Sequence, residues 1–314
     1  VKLDFLTSID LEDVRKIGKR AAVIDGFAME RSINLIWAMA GMGKTSFIFD
    51  LASVYVQEGW SVAYIDTDNG IDLLQDRGYD KQIEAMGGKI KYINADYLVS
   101  PKQEITEMLE KIKAEAKKGA YEKCVFFFDS LKFFLNGLQY DEGRIDKFIE
   151  VSKTIRRAGG TVWILNHAYK NGLDMKGGGS LTDAVDEQWE LKGLGKANGV
   201  KRFLLTPKKY RMNVLECAFE STEEIVDNHY TGNIVMRHID LKVAKISPDD
   251  MELVEKFKAK IAEHTDGIKQ TALLASLELT KSDRTGLRIL EEHTGFFWEV
   301  EAGARNAKIY KCRN

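Results

Sequence analysis

Three cysteines in 314 residues, Cys124, Cys217 and Cys312, are too few, too scattered and odd in number for a disulfide framework or a zinc cluster. Cys124 opens the apolar run Cys124 to Phe128 and reads as a core thiol. His229, His238, His264 and His293 form no recognised metal-ligand spacing either. No apolar run approaches the roughly 18 residues needed to span a bilayer. The opening residues, Val1 to Asp10, carry no basic segment leading into an apolar one. The expectation is a cytoplasmic protein without a membrane partner. An excess of one charge is also missing: 46 Lys and Arg stand against 48 Asp and Glu, a net −2. That balance excludes a uniformly basic surface, but not a local basic cluster able to hold phosphates.

A hydrophobic share of 44% and a charged share of 30% mark a folded, soluble chain. Its length exceeds one average domain of roughly 100 to 150 residues, so two domains are expected. Apolar segments alternate with long helical ones: strands 33–37, 61–66, 89–94, 123–128 and 161–166, with helices 44–58, 72–86, 102–118 and 143–158 between them. This is the pattern of a parallel sheet covered by helices on both faces. Segments 123–128 and 161–166 hardly alternate and read as central strands. Beyond residue 188 the pieces 188–193, 202–206, 213–219 and 233–239 suggest shorter, partly antiparallel strands completing the sheet. A boundary is expected between residues 245 and 250, where Pro248, Asp249 and Asp250 suit a helix start. The expected domains are therefore 1–245 and 246–314.

The strongest motif is the strand Ile33 to Trp37 running into Ala38, Met39, Ala40, Gly41, Met42, Gly43, Lys44, Thr45 and Ser46, and then a helix. This candidate cradle has the P-loop spacing, with Ala38 where the usual pattern has its first glycine. Backbone N–H groups around Gly41 to Lys44 and the helix start would surround phosphates. Lys44 would reach the β and γ phosphates of ATP, and the Thr45 hydroxyl would ligate Mg2+. Asp129, at the end of an apolar strand, is the expected acidic partner of that metal; a helix-capping role is the alternative.

These motifs, with Tyr64-Ile-Asp-Thr-Asp-Asn-Gly70 and Trp163-Ile-Leu-Asn-His167, make residues 20–240 resemble the RecA-like P-loop ATPase superfamily. The resemblance is strongest to RepA-type and DnaB-type hexameric helicase domains and related phage ATPases. It implies an α/β core with a predominantly parallel central sheet and hydrolysis of ATP. It also implies a homo-oligomer, such as a hexameric ring, on single-stranded DNA, with replication or recombination proteins as partners. Asp68 matches the carboxylate that activates water, with Asp66 its competitor. Asn166 and His167 match the γ-phosphate sensor. The glycine-rich loop 170–182 matches a DNA-contacting loop, with Lys176 and then Lys170 as phosphate ligands. Lys209 and Arg211 match a Lys-x-Arg pair that reaches a neighbouring subunit's nucleotide. Helicase activity is the first reading; a recombination or annealing ATPase and an ATP-controlled regulator or loader are the alternatives.

Residues 246–314 resemble a winged helix by order alone: helix 250–264, helix 268–276, helix 283–293 and strands 296–301 and 308–311. Leu273, Leu274, Leu277, Leu287, Ile289 and Leu290 suit a small core against Phe296 and Trp298. Arg284 and Arg288 share a helical face and are candidate DNA contacts. The segment as a whole carries 11 Lys and Arg against 12 Asp and Glu, so docking to protein is the rival.

Overall fold

A computed structural model describes residues 11–313 except 13, 14, 16, 17, 118, 136–140, 170–173, 177, 178, 198, 212, 213 and 228. Two compact units emerge, residues 1–193 with 198–244, and residues 194–197 with 245–314. No helix of the described residues is long and apolar enough to cross a membrane.

The first unit begins with the hairpin β1 (Ala22–Ile24) and β2 (Phe27–Met29), then β3 (Ile33–Ala38), α1 (Lys44–Gln57) and β4 (Ser61–Asp66). Next come α2 (Asp72–Asp76), α3 (Tyr79–Met86), β5 (Ile90–Asn94), α4 (Pro101–Glu115), β6 (Cys124–Asp129) and α5 (Leu131–Phe134). The rest is α6 (Glu142–Arg157), β7 (Thr161–His167), α7 (Gly179–Ala184), β8 (Glu187–Ala197), β9 (Val200–Tyr210), β10 (Cys217–Val226), β11 (His229–Ile239) and α8 (Leu241–Ala244).

Nine strands form one sheet in the order β11-β10-β9-β8-β3-β7-β6-β4-β5. The run from β8 through β3 to β5 pairs in parallel, while β9, β10 and β11 pair antiparallel. This is an α/β architecture with a predominantly parallel central sheet. Continuous apolar runs in β3, β6 and β7 are buried on both faces, as parallel strands under two helical layers require. Phe47, Phe49 and Tyr55 of α1 pack with Trp163 and Trp189 on one face, and Ile145, Phe148 and Ile155 of α6 pack with Phe128 and Ile164 on the other.

Two sequence expectations change in detail. The single helix 72–86 is broken at Arg77 and Gly78, because Gly78 takes a left-handed φ of 69° and donates its N–H back to the Gln75 carbonyl. The last four strands are ten or eleven residues long rather than short. Their charged positions stay in strand because they pair across it: Glu220 lies opposite both Arg202 and Arg237 and bonds both.

The second unit contains α9 (Pro248–Ala262), β12 (Ile268–Lys269), α10 (Gln270–Ser276), α11 (Arg284–Glu292), β13 (Trp298–Ala302) and β14 (Lys308–Cys312), with sheet order β12-β14-β13. Ser247 caps α9 through Asp250 N–H and Asp283 caps α11 through Gly286 N–H. Leu273, Leu274, Ile289, Leu290 and Trp298 are buried, while Leu277, Leu287 and Phe296 are half-buried. The Trp298 indole donates to the Leu290 carbonyl at 3.0 Å.

Candidate functional site

Ala38 is the last residue of β3, buried, with φ outside the left-handed region, so a Cβ there costs nothing and glycine is not required. The turn that follows uses Gly41 at φ 79° and Gly43 at φ 76° instead. Gly43 leads into α1 without a side-chain cap among the described residues, which leaves the first-turn N–H groups suited to a phosphate. Gly193 of β8 passes so close to this turn that a Cβ would stand 2.5 Å from the Met42 carbonyl oxygen. Ser46 belongs to the turn by position, but its hydroxyl accepts from Lys201 Nζ at 3.2 Å. Lys201 also pairs with buried Asp50 at 2.7 Å, so Ser46 offers the cradle backbone rather than side chain.

Lys44 and Thr45 meet Asp129 at the end of β6. Lys44 Nζ is 3.8 Å from Asp129 Oδ1, and the Thr45 hydroxyl is 3.4 Å from Oδ2. Oδ2 also accepts from the Tyr64 hydroxyl at 3.0 Å. Burial first, then the Asp129 charge, holds the Tyr64 phenol well above its usual range, so it remains a donor. Oδ1 is fully buried and, among the described residues, has no hydrogen-bond partner. One hydroxyl and one carboxylate with an unsatisfied buried oxygen fit Mg2+, which takes few protein ligands and completes its shell with phosphate and water. Asp129 does not cap α5, which begins after Ser130.

The turn after β4 separates its two acids. Asp66 is buried and accepts from Asp68 N–H at 3.1 Å, Asn69 N–H at 3.0 Å and the Tyr92 hydroxyl at 2.8 Å. Burial and the neighbouring Asp129 charge push Asp66 up to about 6. It shapes the turn. Asp68 faces outward and lies 3.0 Å from His167 Nε2. That hydrogen bond, then the charges of His167, Lys44 and Lys132, holds its carboxyl below the usual range.

Asn166 requires a correction. Side chains alternate along a strand, so His167 turns toward Asp68 while Asn166 turns to the other face. There its amide donates to the Lys176 carbonyl and lies 3.8 Å from Met175 Sδ. Lys176 N–H donates in turn to the His167 carbonyl at 2.8 Å, so Lys176 is tied to both residues through backbone groups. Lys170 lies outside the described residues.

Lys209 and Arg211 share one side, as a period of two requires: Lys209 Nζ and Arg211 NH2 both donate to the Asp183 carbonyl at 2.9 Å. Arg211 also bonds Asp186 Oδ1 at 3.2 Å, and Asp186 N–H donates to Ile33 O at the start of β3. The P-loop leaves the other end of β3, about 17 Å away at 3.3 Å per residue. Neither cation serves the phosphate cradle of its own chain. Arg284 is exposed at the start of α11. Arg288, expected to be free for nucleic acid, is instead held between Asp250 at 2.7 Å and Glu292 at 2.8 Å. The correction arises because α9 brings Asp250 against the same helical face.

Sequence reasoning did not pick out Tyr64, Tyr92, Gly193 or the Lys201–Asp50 pair. Tyr64 lies inside a motif that was read, but an aromatic in a strand signals core rather than a hydroxyl aimed at a carboxylate.

Residues 2–172 match the AAA domain family. The chain belongs to that family. This AAA-domain protein is a nucleotide-hydrolysing P-loop ATPase, and membership implies ATP binding, typically with Mg2+. It is similar to the solved structure of flagellar accessory protein FlaH from Methanocaldococcus jannaschii, with 18% identity, a TM-score of 0.41, and 74% of this chain and 97% of that chain covered. No curated protein matches it.

Proposed function

We propose that this AAA-domain ATPase is a helicase or single-stranded-DNA translocase of replication, hydrolysing ATP between identical subunits of a ring. One observation carries the reading: His167, beside Asp68, is bonded through its carbonyl to the backbone of Lys176. A change at the phosphate therefore has a two-residue path to a cation in the glycine-rich sequence 170–182, the coupling a translocase needs.

In this reading Lys44 draws negative charge from the transferring phosphoryl group. Thr45 and Asp129 would hold Mg2+, which when bound supplies charge neutralisation between the phosphates. Asp68, ionised at neutral pH, accepts a hydrogen bond from the attacking water and orients it. Its side chain is one methylene shorter than the glutamate usual in relatives. His167 responds to the γ-phosphate by exchanging its Asp68 contact for a phosphate oxygen. The position of Arg211 at the far end of β3 supports a contact with a neighbouring subunit's nucleotide, with Lys209 beside it. Lys176 is the proposed DNA phosphate ligand, with Lys170 second.

For the second unit we propose a winged-helix-like module. The ion pairs of Arg288 with Asp250 and Glu292 favour docking to a partner protein over DNA binding, since a cation already neutralised twice gains less from a phosphate. Arg284 remains the candidate nucleic-acid contact on that helix. This supports the loader reading as the second choice.

The test is ATP hydrolysis with and without single-stranded DNA, alongside unwinding of a forked duplex. Stimulation by single strands, abolished in Lys44→Ala and Asp129→Asn, is the expected result. Hydrolysis that single strands do not change, in a protein that also fails to bind them at low salt, removes the translocase reading and leaves the ATPase.

A further inference from the structure

Tyr64 occupies the middle of β4 between β5 and β6, directly opposite Phe127 and Tyr92 in register. Its ring is fully buried and stacks on Phe49 with centroids 4.7 Å apart at 28°, and on Phe127 at 5.6 Å and 27°. A ring held on both sides leaves its hydroxyl one place to go, and that place is Asp129 Oδ2 at 3.0 Å. The Asp129 backbone is fixed independently, since its carbonyl accepts from the Thr67 hydroxyl at 2.9 Å. The other donor to Oδ2, the Thr45 hydroxyl, is longer at 3.4 Å and is itself the proposed metal ligand. Once Thr45 turns its oxygen to a metal, Tyr64 is the donor that stays on Oδ2. Oδ1, buried and without a hydrogen-bond partner among the described residues, then faces Lys44 and the phosphate site.

We propose that Tyr64 is a positioning residue for the magnesium site: its hydroxyl pins one oxygen of Asp129 and so presents the other to the metal and its waters. The inference rests on the magnesium reading of Asp129 given above. A carboxylate bonded through one oxygen has its rotation about the Cβ–Cγ bond set in advance, and outer-shell partners of this kind tune metal affinity as the ligands themselves do. A merely structural phenol would need Asp129 as an acceptor, but the metal would not need the phenol. The two roles therefore differ in what magnesium feels.

The experiment titrates Mg2+ into the full-length protein with a fluorescent ATP analogue and reads binding rather than turnover. Tyr64→Phe keeps the ring and removes the hydroxyl. It should raise the Mg2+ concentration at half-maximal binding about tenfold, with metal-free binding of the analogue unchanged. An unchanged midpoint in Tyr64→Phe, beside a raised one in Asp129→Asn, overturns the positioning role and leaves the magnesium reading standing. An unchanged midpoint in Asp129→Asn removes the magnesium reading itself. In the double variant, the Tyr64 effect should vanish in the Asp129→Asn background; an additive further shift overturns the inference. Should Tyr64→Phe not fold, 3-fluorotyrosine placed at position 64 carries the test. Its fluorine resonance should move when Mg2+ is added to the ATP-bound protein, and a stationary resonance overturns the proposal.

Discussion

Glu187 is a carboxyl group that the proposed chemistry does not use, at the start of β8, with no exposure to solvent and, among the described residues, only the nearby Trp189 indole as a donor, outside good hydrogen-bond geometry. Burial, with Asp186 adding to it, pushes its carboxyl from 4.5 up to about 7. The folded state therefore holds this proton more tightly than the unfolded chain does. Its stabilising contribution is complete below pH 4.5 and is lost as pH rises to about 7, a change on the order of 3 kcal/mol. Glu187→Gln should flatten that loss, so urea unfolding at pH 5 and pH 8 should separate parent from variant at the higher pH only. Parallel behaviour at both values would show that Glu187 ionises at no cost in the native state. The same lesson in local environment applies to Asp66 and Asp68. Two residues apart at a strand end, they read as near equivalents, yet Tyr92 and the turn N–H groups claim Asp66, while His167 claims Asp68. Tyr92 comes from β5 and His167 from β7, so the local motif alone does not separate the two roles.

At the scale of elements, the strand, turn and helix of the phosphate cradle are contiguous in the chain and were legible as such. What holds the turn in place is not contiguous. Gly193 lies some 150 residues downstream in β8, and its missing side chain lets that strand run against the Met42 carbonyl. Gly193→Ala should push the turn outward, because the neighbour is backbone and cannot rotate aside. Nucleotide affinity is expected to fall about tenfold or more with the melting transition little changed. Unaltered affinity in calorimetric titration would mean that the turn yields without cost. The broken helix α2–α3 and the long strands β8–β11 belong at this scale too. Gly78 could have been read as a helix stop, since a glycine after a helical turn is the usual one. The strand lengths could not, because Glu220 looks like a loop residue until Arg202 and Arg237 are found on either side of it.

At the scale of the whole molecule, the distance along β3 between the phosphate turn and Arg211 frames the proposed assembly. Arg211→Ala should leave folding intact, since Asp186 keeps both of its bonds from Arg156, while turnover falls about a thousandfold. Mixing those subunits with Lys44→Ala subunits, which keep Arg211, should restore part of the activity when both are in one oligomer. Mixed oligomers that stay inactive would end the proposal of a contact between chains. The sequence by itself determined the alternation that builds a parallel sheet, the phosphate turn and the carboxylate at the end of β6. Each of these is a local consequence of backbone geometry or of side-chain period. Only the tertiary structure decided that Asn166 and His167 face opposite ways into different neighbours, that Arg288 is paired with Asp250, and that the Tyr64 hydroxyl reaches Asp129. Those outcomes depend on which distant groups arrive within about 3 Å, a distance over which hydrogen bonds and ion pairs act and about which sequence separation carries no information.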